Sequence, residues 1–279
     1  VKVVTDSLSD ITSDLAQKLG LTIVPLTVSF GQDSFLDRIT ISTDEFYHRL
    51  SHDPTWPKTT QPPPGVFAEV YNKLAQETDE ILVITVSSKL SGTYDSALNA
   101  RTLVSAKCRI EVVDSLTVVM GQGLIVIAAV RAAQAGTKLD ELVPLVKRSM
   151  PKCHSIMYFD TLKYLAKGGR IGKAQGLVGS LLSVKPILTI RDGEVFPLTR
   201  VRSQSAGMDY LYNFAVGFPH IAELAVEHAT TPEEAEKLAQ RLGSVFPVER
   251  IYRSTVSPVI GAYAGPNVLA VSILEADGK

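Results

Sequence analysis

Residues 81 to 86, Ile-Leu-Val-Ile-Thr-Val, form a short unbroken run of apolar and β-branched side chains. Such a run, without polar alternation, suits a strand buried on both faces. Ser87, Ser88, Ser91, Gly92 and Thr93 follow it, and Ala97, Ala100 and Val104 then recur at helical spacing. A buried strand that turns through small residues into a helix is the repeating unit of a parallel α/β sheet. The same turn offers backbone N–H groups and the positive end of the helix dipole to a ligand. Gly92 allows close approach to the backbone. The segment therefore suits an anion held by neutral donors. It equally suits a helix start capped by Ser91 with nothing bound.

The rest of the first half repeats this alternation. Strands are expected at Lys2 to Thr5, Leu21 to Phe30 and Arg109 to Val113, and helices at Asp10 to Leu19, with Gly20 closing it, and at Thr43 to Leu50. Val66, Phe67, Val70, Tyr71 and Leu74 mark an amphipathic helix. Gly121 to Ala135 is apolar nearly all round, so that helix should be buried. Thr137 with Asp140 resembles a capping box for a helix ending near Met150. Past Pro151 the texture changes. A strand at Ser155 to Phe159 leads to a Lys-rich helical piece. Pro186 to Ile190 and Glu194 to Leu198 flank Arg191-Asp192-Gly193, a hairpin signal that implies antiparallel pairing. Thr231-Pro232-Glu233-Glu234 opens a helix, and Val268 to Leu274 is a last strand. The expected fold is α/β in two domains. Residues 1–150 form a mostly parallel sheet flanked by helices, and residues 151–279 a mixed or antiparallel α/β domain.

Composition narrows the function classes. The chain has 279 residues, 28 Lys+Arg against 29 Asp+Glu, and 45% hydrophobic residues. A net charge of −1 gives no electrostatic case for nucleic acid as a partner. Cys108 and Cys153 are the only cysteines, too few for a disulfide framework or a cysteine-rich metal site. The N-terminus reads as a strand rather than a signal peptide, and Gly123 to Val130, the longest apolar run, is too short to span a bilayer. A soluble cytoplasmic protein is the expectation.

Three further loops echo the first. Asp6-Ser7 and Asp114-Ser115 each follow a predicted strand, and Thr59-Thr60-Gln61-Pro62 precedes a helix. In an open parallel sheet such loops line one crevice at the carboxyl ends of the strands. Asp6, Ser7, Thr59, Thr60, Ser91, Thr93, Asp114 and Ser115 would then converge, although local caps explain each pair separately. No Gly-x-Ser-x-Gly elbow is present. Gly168 to Lys173 lacks the spacing of a phosphate loop, with Ala174 where its hydroxyl belongs. The five histidines show no ligand spacing. Many hydroxyls without an evident base favour binding over turnover.

Lys58-Thr59-Thr60-Gln61-Pro62, the stretch Ser87 to Tyr94, and Leu162 to Gly172 (LKYLAKGGRIG) resemble the DegV family of bacterial fatty-acid-binding proteins. Asp6-Ser7, Asp114-Ser115, Lys185-Pro186, Thr199 to Arg202 and Gly265-Pro266 fall in matching order, so the resemblance spans the chain. It implies a two-domain α/β protein that buries one long-chain fatty acid between its domains. It also implies a place in the fatty acid kinase system, where the protein presents the carboxylate to a separate ATP-using kinase and the acyl phosphate feeds phospholipid synthesis. Carried over by residue, the carboxylate meets the hydroxyls of Thr59 or Thr60 and of Ser91, with Gly92 and Thr93 beside them. Arg170, with Arg200 or Arg202, matches positions tied to partner docking. Two departures stand out. The family commonly has a pattern like His-x-Gly-Pro-Gly, and here Tyr263 and Asn267 replace the first and last residues. A phenol donates a hydrogen bond but carries no positive charge. Pro63 stands where a serine is usual.

The residues agree with the resemblance. A carboxylate wants N–H and O–H donors, and a tail wants apolar burial at roughly 0.8 kcal/mol per methylene. Leu124, Ile125, Ile127, Leu177, Leu181, Leu182 and Ile187 are wall candidates, each of which would serve as well in an ordinary core. Lys163, Lys167, Arg170 and Lys173 would span three helical turns as a solvated face or as a docking patch for an acidic kinase surface or an anionic membrane. A second class stays open: an enzyme, such as a small-molecule kinase or phosphatase, using the hydroxyl loops as a phosphate cradle.

Overall fold

A computed structural model of the chain describes residues 1–105, 107–177 and 184–276. In chain order the first half comprises β1 (Lys2–Asp6), α1 (Ser13–Leu19), β2 (Thr22–Val24), β3 (Thr27–Phe30), β4 (Asp33–Leu36), α2 (Thr43–His52), β5 (Lys58–Thr60), α3 (Pro64–Leu74), β6 (Glu80–Thr85), α4 (Thr93–Ala100), β7 (Arg109–Asp114), α5 (Val119–Gln134) and α6 (Leu139–Ser149). The second half comprises β8 (Cys153–Tyr158), α7 (Lys163–Gly168), β9 (Lys185–Arg191), β10 (Glu194–Val201), α8 (Gln204–Val216), β11 (Ile221–His228), α9 (Pro232–Leu242), β12 (Tyr252–Thr255), α10 (Pro258–Ala264) and β13 (Leu269–Glu275).

Strand β6 lies inside a four-stranded parallel sheet of order β2-β1-β6-β7. Its side chains alternate between two cores. Ile81 and Val83 face Phe67, Tyr71, Ala97 and Ala100 of α3 and α4, while Leu82 and Ile84 face α5 and α6. Burial on both faces explains the unbroken apolar run. The expected strand at Leu21 to Phe30 divides at Pro25, which has no N–H to give a ladder. Beyond it β3 joins β4 and β5 in a small antiparallel sheet. α1 starts at Ser13 rather than Asp10, because Ser7–Ser9 form a separate tight turn. α6 has no Thr137 cap. Its first free N–H, at Leu139, donates to Glu80 Oε2 at 3.3 Å, and Asp140 turns to Arg109 at 2.5 Å.

The second half builds a six-stranded mixed sheet of order β10-β9-β8-β13-β11-β12. The hairpin read at Arg191-Asp192-Gly193 joins antiparallel β9 and β10. α8 and α9 cover one face of this sheet. Its other face packs on α5, whose Leu124, Ile125 and Ile127 share a core with Ala225 and Leu274. One helix is thus buried between two sheets, which accounts for its lack of a polar side. The expected α/β class is the one found, with a parallel sheet flanked by helices and a mixed sheet after it.

Candidate functional site

An apolar cavity of about 80 Å³ lies where the loops at the carboxyl ends of β1, β6 and β7 meet the second half of the chain. Leu8, Leu90, Val118 and Val119 wall one side. Met157, Phe159, Leu165, Ile190, Val195, Val259, Ile260 and Ala264 wall the other. Only Arg170 and Tyr263 bring polar side chains to the lining among the described residues, and Arg170 is exposed, so its end is the mouth.

At the mouth the polar groups form a closed ring. The Thr59 and Tyr263 hydroxyls share a hydrogen bond. The Arg170 guanidinium lies over the Tyr263 ring, 5.1 Å from its centroid, and its Nε donates to Leu90 O at 3.2 Å. Next to Leu90, Ser91 Oγ lies 2.8 Å from Thr93 Oγ1 and accepts from Thr93 N at 3.3 Å. Gly92 is the first turn's cap, and a Cβ there would stand 3.0 Å from Gln61 Nε2. Gln61 is two residues beyond Thr59, which completes the circuit. Gln61 was part of a recognised motif, yet only the folded chain shows it against Gly92. Thr60 is exposed and, by strand alternation, faces away from Thr59.

Local sequence explains how Tyr263 is held. α10 carries it toward the end of α7, where Gly168 lies so close that a Cβ would enter the phenol ring edge. Gly265 closes α10 at φ +75° with its Cα against the ring of Tyr164. Asn267 adopts φ +60°, a left-handed conformation that Asn tolerates, and exchanges hydrogen bonds with Thr230 at 3.0 and 3.1 Å. A glycine is therefore not needed at that turn.

Several expected residues sit elsewhere. Asp6, Ser7 and Ser115 are buried: Asp6 ties its loop to Val86 N, Ser7 donates to Asp37, and Ser115 holds its own turn at Thr117 O, while Asp114 Oδ1 accepts from Ser88 N and Leu116 N at 3.1 and 3.0 Å. The Ser87 hydroxyl donates to Gly193 O at 2.8 Å and so latches the β9–β10 turn onto the hydroxyl loop. Leu124, Ile125 and Ile127 belong to the core between the sheets, and Ile187 to the core under α8, so none lines the cavity. α5 offers the cavity only its first turn before running away between the sheets. Leu177 packs beside the cavity walls, and Leu181 and Leu182 lie outside the described residues.

The basic cluster is not one helical face. α7 ends at Gly168, Gly169 turns left-handed at φ +72°, and Lys173 faces Glu194 at 3.7 Å. Lys167 Nζ instead sits 3.9 Å from the centroid of Trp56, which stacks on Tyr164 at 5.2 Å. Arg200 and Arg202, on and just after β10, are exposed. No described cluster of His, Cys, Asp or Glu is placed to hold a metal ion, and no described helix is long and apolar enough to cross a membrane.

A family model described as uncharacterised protein, DegV family, matches residues 1–276. The chain belongs to the DegV family. It is 38% identical over 275 residues to a DegV domain-containing protein of Caldanaerobacter subterraneus subsp. tengcongensis, covering 97% of each chain. It is 36% identical to one of Streptomyces coelicolor, covering 98% of each. Among solved structures, a DegV family protein from Thermus thermophilus described as fatty acid binding superposes with a TM-score of 0.90 at 30% identity over 99% of each chain. DegV from Bacillus subtilis, described as a fatty acid binding protein, gives 0.89 at 28% over 99% of each. A stearic acid-binding protein from Eubacterium ventriosum gives 0.88 at 25% over 98% of each.

Proposed function

We propose that this DegV protein binds a long-chain fatty acid, with the carboxylate on the ring of Thr59, Ser91, Tyr263 and Arg170 and the tail in the apolar cavity behind it. The observation that carries this reading is the polarity gradient: an exposed guanidinium and hydroxyls at the mouth, and aliphatic walls beyond. It is supported by the fatty acids that the related structures are described as binding. A tail of about sixteen carbons would gain on the order of 10 kcal/mol from burial before ordering costs. At about 80 Å³ the cavity holds only part of such a tail, so its inner walls must give as the ligand enters. Ile190 is the place to expect it, since that side chain also lines a neighbouring cleft of about 490 Å³.

In this proposal the protein is a carrier. The carboxylate at the mouth is presented to a separate ATP-using kinase, and the exposed Arg200 and Arg202, with Arg170, form the docking side. Native mass spectrometry of protein purified from bacteria tests the reading. A retained fatty acid supports it. A chain that arrives without lipid, refuses added palmitate and instead binds or turns over a nucleotide would replace it with the phosphate-cradle enzyme.

A further inference from the structure

Behind the cavity the chain buries four carboxyl groups, Asp6, Asp10, Asp37 and Glu227, all at 1% exposure or less. Each holds a backbone N–H of the cavity's frame. Asp6 accepts from Leu8 N at 3.0 Å and Val86 N at 2.7 Å. Asp37 accepts from Ser7 Oγ at 2.7 Å and Val259 N at 3.4 Å. Asp10 Oδ1 accepts from Ser257 N, at the cap of α10, at 3.1 Å, with Arg38 at 3.3 Å. Glu227 Oε2 accepts from Met120 N, in the first turn of α5, at 3.1 Å. Leu8, Val259 and the residue before Met120, Val119, are themselves cavity walls.

Two oxygens in this group have no donor, Asp10 Oδ2 and Glu227 Oε1, and both are fully buried. Ser254, which pairs with Glu227 between β11 and β12, donates its hydroxyl to Asp10 O, so the two residues are neighbours and one hydrogen bond between their carboxyls would satisfy both oxygens. Two ionised carboxylates cannot make that bond, because neither brings a hydrogen and buried like charges repel. We propose that Asp10 and Glu227 share one proton, carried on Glu227 Oε1 and donated to Asp10 Oδ2. The acid pair so formed positions the starts of α5 and α10 that wall the cavity.

The surroundings fit that proton. Burial pushes the Glu227 carboxyl well above the usual range and raises Asp10 too, where the Arg38 charge restrains the rise. The charged and titratable groups facing the pair are Arg38 and Asp37 after β4 and Tyr47 on α2, with Asp6, at the end of β1, next to Asp37. α5 contributes the Met120 N–H to Glu227, while its Gln122 amide donates to Asp6. On β12, Ser254 donates its hydroxyl to Asp10 O, and Thr255 O accepts from Arg38. Arg38 therefore balances one of the negative charges, and a proton between Asp10 and Glu227 removes a second.

The pair is positioning machinery for the proposed fatty-acid site, and its test separates the two ideas. Infrared difference spectra of ligand-free wild type minus Glu227→Gln at about pH 8 should show the C=O stretch of a protonated carboxyl. The amide of Glu227→Gln supplies a permanent donor to Asp10. That variant should keep its fold, with a shallower loss of melting temperature from about pH 5 to about pH 9. Asp10→Asn, which donates to Glu227 instead, should abolish the infrared band in the folded protein. The proposal is overturned if wild type shows no such band, or if the melting slopes of wild type and Glu227→Gln coincide. It is also overturned if alkaline stability follows Na⁺ or K⁺ concentration at constant ionic strength, since a cation would then bridge the oxygens. Failure of wild type to take up palmitate at every pH would sink the fatty-acid reading and leave the infrared and melting results to decide the pair.

Discussion

At the residue scale, the head-group ring yields the sharpest expectations. Ser91→Ala removes one hydrogen bond to a charged group, a loss of about 1.5–3 kcal/mol, and with Thr59→Ala should strip most copurified lipid. Undiminished lipid in the double variant would show that the carboxylate binds elsewhere. Tyr263→Phe should weaken palmitate by about 0.5–1.5 kcal/mol in a titration, as for one neutral hydrogen bond. The two arginines should now separate. From sequence both belonged to docking. Because Arg170 also lies over Tyr263 and bonds Leu90 O, Arg170→Ala should lower retained lipid as well as kinase turnover. Arg200→Ala should slow phosphorylation and reduce its salt dependence with lipid unchanged. Equal lipid in both variants would return Arg170 to docking alone. Ser91, Thr59 and Tyr263 could be singled out as head-group candidates because each sits in a short motif. Gln61 shares Thr59's motif, but its place against Gly92 was not legible, nor were the floor acids Asp10, Asp37 and Glu227, since their neighbours lie across sheets and no spacing in the chain foreshadows that.

At the element scale, α5 was readable as buried but not as shared. Its all-round apolar pattern says that both faces are covered, and only the tertiary structure says that the second cover is Ala225 and Leu274. The same blindness left Leu124, Ile125 and Ile127 open between cavity wall and core, and the structure puts them in the core. Leu124→Ala should cost about 2–5 kcal/mol of stability in denaturant unfolding, as a fully buried leucine does, while palmitate affinity per folded molecule stays the same. A selective loss of affinity would restore it to the wall. β1, β6 and β7 of the parallel sheet stood out through length and β-branching. β4 and β5 did not, because strands of three or four residues have no period to read. α6 defeated its apparent box because Glu80 reaches its first N–H from another strand. Gly168→Ala tests how α7 and α10 fit together. The added methyl must displace Tyr263, so lipid retention should fall further than melting temperature does.

At the scale of the whole molecule, the expected division at residue 150 leaves α5 in the first part and much of its cover in the second. A fragment of residues 1–150 should therefore aggregate or stay unfolded, and the intact chain should unfold in one transition by circular dichroism and fluorescence. A soluble, cooperatively melting fragment would show that the parallel sheet stands alone. Stability should also depend on pH with a definite sign. Burial raises Asp6 to about 6 and Asp37 to about 7, so the native chain keeps protons that the unfolded chain releases above about pH 4. Their contribution is full below that pH and is lost as pH rises through 6 to 7, by on the order of 1 kcal/mol per unit for each group. Melting temperatures from about pH 4 to pH 8 check this, and a curve that rose through that window would contradict it. One more consequence comes from Trp56, the sole indole of the chain. It stacks on Tyr164 and under Lys167, both on the helix that leads to Arg170. The protein thus carries its own optical gauge at the cavity entrance, whose emission would follow any swing of that helix in real time without an added label.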